Sequence, residues 1–280
     1  SMTMTTMTRT VEGRQEEEER SKITKDEDVK LTRNESWTTL PETWSCCMGA
    51  RACPGKAYNP TPVEHVANTL SHAVGIFVSL FYMSAMLDRS HRSLQFYIAF
   101  IYGTCTTLLF LMSTVYHYYE MLYREAKLRP TLRYYLHITD RTAIYLFIAA
   151  SYTPWLTLRH CGLLGLNAKV CTWTAAIGGM LYQIIFHEKY KRLELAIYIV
   201  VATAPAFAVL TMNDWTGLDR MAIGGLIYLV GVVFFKLDGV VPFAHAIWHL
   251  HVLAAAALHS HTVLTTLLGP DANNPVPIID

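Results

Sequence analysis

From residue 66 onward the chain alternates long apolar stretches with short polar interruptions. An α-helix crosses the hydrocarbon core of a bilayer in about 20 predominantly apolar residues. Seven stretches approach or reach that length: 66–87, 95–118, 138–158, 170–187, 193–211, 221–237 and 244–267. The sixth is the shortest. Pro154 and Pro205 fall inside the third and fifth, where membrane helices tolerate proline better than soluble ones do. Trp155, Trp173, Trp215 and Trp248 fall near the ends of these spans, at the depth where aromatic belts form. The pattern predicts an all-α membrane protein, a seven-transmembrane helical bundle over 58–268. A mostly disordered tail precedes it over 1–57 and a short C-terminal tail follows over 269–280.

Charge sharpens this picture. Only 16% of the 280 residues are charged, against 52% hydrophobic, whereas soluble domains average roughly a quarter charged. Much of the charge is concentrated in the first thirty-five residues. The net charge of +1 gives no electrostatic basis for holding nucleic acid. Lys and Arg accumulate on the side of the bundle that retains them in the cytosol. Eighteen of the 23 fall on the side of the N-terminal tail, including Arg124, Lys127, Arg129, Arg133, Lys189, Lys191, Arg192 and Lys236. Arg89, Arg92, Arg159, Lys169 and Arg220 fall on the other. The expected topology is therefore a cytosolic N-terminus and an extracellular or lumenal C-terminus, with the sequon at Asn34 unmodified. The six cysteines show no repeated CxxC spacing, so neither a zinc finger nor a disulfide framework is expected. Cys46, Cys47 and Cys53 precede the first span closely, as palmitoylated or simply free thiols.

Ionisable groups inside spans are costly and mark function or close pairing. The second span closes on Ser113-Thr-Val-Tyr-His117, the third opens on His137-Ile-Thr-Asp140-Arg141, and the seventh opens on His245-Ala-Ile-Trp-His249. All three lie at the same predicted depth, on the cytosolic side. His245 and His249 are spaced i,i+4 and share a helix face. With His117 they form a three-nitrogen set suited to an open zinc site. Asp140 is placed to accept a proton or orient a histidine, and Ser113 to donate to a carbonyl oxygen. The bland alternative makes the histidines interfacial, Asp140 a helix-terminal charge and Arg141 a snorkelling cation. Glu64, Asn68 and His72 repeat every four residues along the first span. They read equally as a hydrogen-bonded helix contact and as a wall of the same cavity. His251, His259 and His261 read as packing or opposite-face residues, and the run from His187 to Arg192 as a solvated loop. Gly178-Gly179 and Gly224-Gly225 permit close helix approach.

In order and spacing, Glu64-x3-Asn68-x3-His72, Ser113-x3-His117, Asp140 and His245-x3-His249 resemble the motifs of the progestin and adipoQ receptor family. That family shares its pattern with the hemolysin III-like proteins and, more distantly, the alkaline ceramidases. The stretches Phe147–Trp155 and Pro242–Leu250 are most similar to its monocyte-to-macrophage differentiation factor branch. The resemblance covers residues 58–268. It implies seven spans with a cytosolic N-terminus, and zinc on His117, His245 and His249 with Asp140 and Ser113 beside it. It also implies membrane lipids as partners, ceramide or a fatty acid in the bundle, together with signalling proteins. The expected location is a Golgi or endolysosomal membrane. Two functions follow as expectations. One is a zinc-dependent lipid amide hydrolase of ceramidase type acting in signalling; the other is a receptor or scaffold whose zinc is structural. A pore is a third, weaker reading, with Asn68, Asp140 and Gln183 as its polar lining.

Overall fold

The computed structural model describes residues 49, 58–123, 129–187 and 189–270. The Asn34 sequon, the cysteines at 46, 47 and 53, and the last ten residues lie outside them. Among the described residues there is no strand. Within the described residues eight helices follow in order: α1 (Pro62–Asp88), α2 (Ser93–Tyr123), α3 (Pro130–Leu158), α4 (Gly162–Ile185), α5 (Lys191–Thr203), α6 (Ala206–Val209), α7 (Leu218–Phe235) and α8 (Ala244–Thr266). They make seven rods, because α5 and α6 are one span broken at Pro205. Proline supplies no amide hydrogen and clashes with the preceding turn, so the helix cannot run through it unbroken.

The ends of α1 and α3 show why the apolar pattern placed them late. Thr61 caps α1 with its hydroxyl on the Glu64 amide, the Glu64 carboxylate returns to the Thr61 amide at 2.9 Å, and Pro62 occupies the first turn. This reciprocal box satisfies amides that the helix itself leaves open. The helix therefore begins at 62, four residues before the apolar run. α3 begins eight residues before its apolar run, because its polar first turns find partners on neighbouring helices. Arg133 Nε, for example, donates to Glu120 on α2 at 2.5 Å. Within the spans Thr106, Thr153, Thr172 and Thr262 return their hydroxyls to the carbonyl four residues back. This is how hydroxyl side chains are satisfied where no water reaches.

α1, α2, the 192–209 span and α7 are each long and apolar enough to cross a membrane. α3, α4 and α8 are diluted by hydroxyl, glycine and imidazole side chains; α8 alone carries five histidines. α3 is the central rod, and from Phe147 to Leu158 nearly every residue is buried. Around it the chain packs in sequence, α1 on α2, α2 on α3, α3 on α4, while α8 closes back onto α1. α7 packs along α8, and among the described residues no packed seam joins it to α5 or α6. Large apolar side chains such as Phe77, Leu163 and Phe207 point outward, as a lipid-facing surface requires.

One glycine of each pair makes a close approach. A Cβ on Gly179 would stand 2.3 Å from the Tyr145 ring and one on Gly224 would stand 2.2 Å from His259, whereas Gly178 and Gly225 face open space. The tryptophans divide differently from the expectation. Trp215 is exposed beside the start of α7, but Trp155 is buried in the core. Because α4 begins at 162, Trp173 lies in mid-helix, donating to Thr153 Oγ1 at 3.0 Å. At the end of the bundle where α8 finishes, Arg159 pairs with Asp214 and donates to the Thr266 carbonyl. Gln95 donates to the Gly269 carbonyl there at 3.1 Å.

Candidate metal centre

Helix direction brings the polar constellation together. α1, α3 and α8 begin, and α2 ends, at one end of the bundle. His117 lies six residues before the end of α2, while His245 and His249 lie in the first two turns of α8. One ligand atom from each of the three imidazoles falls within 4.8 Å of the others. Ring centroids lie 5.0 Å apart for His117–His245, 4.9 Å for His117–His249 and 4.6 Å for His245–His249. Nitrogens on a tetrahedral zinc stand about 3.3 Å apart for bonds of roughly 2.0–2.1 Å. Small side-chain rotations close the difference.

The hydrogen bonds around the triad suit it to a metal. His249 Nδ1 lies 3.1 Å from the Asn68 carbonyl, which can only accept, so that nitrogen carries the proton. Ser71 Oγ stands 3.0 Å from the same nitrogen. His245 Nδ1 lies 3.2 Å from Asp238 Oδ2. In both rings Nε2 is left as the nitrogen available to a metal. Nε2 of His117 is buried with no hydrogen-bond partner, and an orphaned buried acceptor of this kind costs roughly 1–3 kcal/mol. A cation bound by all three rings would satisfy them. Ser113 and Asp140 lie side by side, with Asp140 close to His245. The structure therefore brings together His117, His245, His249, Ser113 and Asp140.

The stripe on α1 serves as helix contact and site wall at once. His72 stacks on His249, with centroids 3.6 Å apart and 15° between planes. Glu64 accepts from the Tyr58 hydroxyl at 2.8 Å and from the Phe243 amide at 3.3 Å. It thereby joins the cap of α1 to the residue that caps α8. Burial and the Glu64 carboxylate push the Tyr58 phenol above its ordinary range.

Two expectations are corrected. Arg141 does not snorkel: its guanidinium turns inward, to Glu194 Oε1 at 2.5 Å and to His137 Nε2 at 3.0 Å. His187 is no solvated loop residue: its Nε2 lies 3.0 Å from His137 Nδ1. Because Arg141 occupies the His137 Nε2 lone pair, His137 Nδ1 must hold the proton. His187 then accepts it, and the amide oxygen of Gln183 is the group that belongs on His187 Nδ1. This network fixes the flank of α3 that carries Asp140. Asp238 and Ser71 gave no signal in the sequence, since an Asp-Gly turn and a lone serine are common in any helical protein.

Three comparisons bear on identity. The family described as Haemolysin-III related matches residues 61–260. The human monocyte to macrophage differentiation factor is 45% identical over 217 residues, covering 77% of this chain and 90% of that protein. Hemolysin-3 of Bacillus cereus is 33% identical over 214 residues, covering 73% and 92% respectively. With its apolar helices and its buried histidine triad, the chain belongs to the haemolysin-III-related family of multi-pass integral membrane proteins, the group that includes the progestin and adipoQ receptors.

Proposed function

We propose that this chain is an intramembrane zinc-dependent hydrolase of a lipid amide, ceramide being the type, working at the cytosolic face of a Golgi or endolysosomal membrane. The observation that carries the reading is the convergence of three imidazoles, one nitrogen from each within 4.8 Å of the others, with Ser113 and Asp140 beside them. Zinc held by these rings is a Lewis acid that polarises a carbonyl and lowers the pKa of water to about 7. Asp140 is the chain's proton acceptor next to it, and the Arg141–His137–His187 network holds its helix face in place. Ser113, beside that carboxylate, is a hydroxyl that can donate to a developing oxyanion. The unpacked seam between α7 and the α5–α6 span supports entry of an acyl chain from the bilayer. The Lys and Arg asymmetry supports the cytosolic placement.

The test is direct. The purified protein should contain about one zinc per chain and release fatty acid from a ceramide, and His249→Ala should lose both. Zinc present, with no release from any tested sphingolipid, would remove the hydrolase.

One observation favours a second reading. α2 and α8 do not pack along their length. Side-chain contacts such as Tyr102–Ser260 at 3.2 Å and the histidine rings span the space between them. A metal there would staple the two helices, giving a scaffold or receptor with structural zinc and signalling proteins as partners. In that case chelation lowers thermal stability without affecting any turnover.

A further inference from the structure

Histidines that bind metals nearly always present their second ring nitrogen to an oxygen, which fixes tautomer and ring orientation. His249 has its oxygen from the backbone, the carbonyl of Asn68. His245 has a side chain instead, Asp238, in the turn between α7 and α8. That turn is tightly built. Leu237 and Val240 close successive hydrogen-bonded turns, with Val240 N on the Leu237 carbonyl at 2.9 Å. Gly239 adopts φ +72, a left-handed conformation suited to glycine, and Phe243 enters α8 at φ +57 with its amide on Glu64. The side chain of Asp238 is about three-quarters buried, and its second oxygen is buried without a partner. A carboxylate held so firmly, with one oxygen on an imidazole and the other unused, is not a surface acid.

Resting on the metal reading above, we infer that Asp238 is the positioning residue of the centre, completing a carboxylate–histidine–metal relay through His245. The carboxylate holds the proton on Nδ1, turns Nε2 towards His117 and His249, and makes that nitrogen a stronger donor. His249, held by a neutral carbonyl, is the weaker donor of the α8 pair. The three ligands are therefore unequal, and the one on the exposed side of the triad is the one the protein reinforces with charge.

The experiment uses the full chain in nanodiscs, with zinc affinity read by competition against a chromophoric chelator. Asp238→Ala should weaken zinc binding by about 10–100-fold. Asp238→Asn should fall between it and wild type, because its carbonyl still accepts the Nδ1 proton but carries no charge. Asp219→Asn, a surface acid at the far end of α7, should match wild type. A purely structural role is separated by unfolding without metal. Asp238→Ala should melt near wild type when metal-free, yet gain less from added zinc. Zinc affinities of both Asp238 variants within twofold of wild type would overturn the assignment. So would a metal-free melting point that falls in step with affinity while Asp238→Asn binds normally. If Asp238→Ala does not fold, Asp238→Asn alone decides. If wild type and His249→Ala both bind no zinc, the centre itself is refuted and the relay with it.

Discussion

The imidazole of His72 lies flat against that of His249, ring centroids 3.6 Å apart, joining the first span to the last at the heart of the histidine cluster. Both rings are almost wholly buried. The two rings nevertheless have different tasks. His249 Nδ1 is occupied and its Nε2 faces the triad, whereas His72 backs it. His249→Ala should lose zinc by more than the 10–100-fold that an outer partner costs. His72→Leu should keep binding within about tenfold while lowering the unfolding temperature. Equal losses of affinity in the two variants would make His72 a ligand.

Glu64 should matter for stability beyond its cap. It accepts from Tyr58, Thr61 and the Phe243 amide, and all three are donors. Glu64→Gln sets an amide nitrogen against them and should cost about 1–3 kcal/mol. Thr61→Ala, which loses only the cap hydroxyl, should cost about 1 kcal/mol. Denaturant unfolding in mild detergent ranks the two, and the reverse order would refute the link to α8.

The Arg141–Glu194 pair is buried on the carboxylate side. Removing one partner from a buried pair costs about 3–5 kcal/mol, while replacing both with apolar residues can be neutral. Arg141→Met should therefore destabilise strongly, and the Arg141→Met/Glu194→Leu double variant should recover much of the loss. No recovery would show that Arg141 acts chiefly through His137.

Gly224 and Gly225 offer a paired test of helix approach. Gly224→Ala drives a methyl into His259, whose Nε2 holds the Met221 carbonyl at 2.9 Å. It should cost about 1–3 kcal/mol. Gly225→Ala meets nothing and should be neutral or slightly stabilising, as alanine is the better helix former. Indistinguishable melting curves would mean that α7 shifts freely to make room.

The bundle and the histidine cluster are legible because both depend on periodicity. Apolar length gave the spans, and His245-x3-His249 set two rings on one face without knowledge of any loop. The depth at which His117, Asp140 and His245 fall followed from alternating helix direction alone. Helix starts are less legible, since α3 extends through polar turns whose partners belong to other helices. The Thr-x-x-Glu box at Thr61 is legible as a helix cap. Asp238 and His187 were not readable at all. Each acts through a fold-dependent contact, seven residues from its partner across a turn in one case and fifty residues away in the other. Trp173 lies in mid-helix and not at a span end because its span begins eight residues before the apolar pattern does.

α7 rests on α8 along its length and touches α3 through the Tyr228 ring against Phe147. The turn from Lys236 to Phe243 joins α7 to α8. It carries both the acid that holds His245 and the amide that holds Glu64. Any tilt of α7 would therefore reach the histidine cluster and the first span together, so that this wall of the bundle and its polar heart are coupled through one turn.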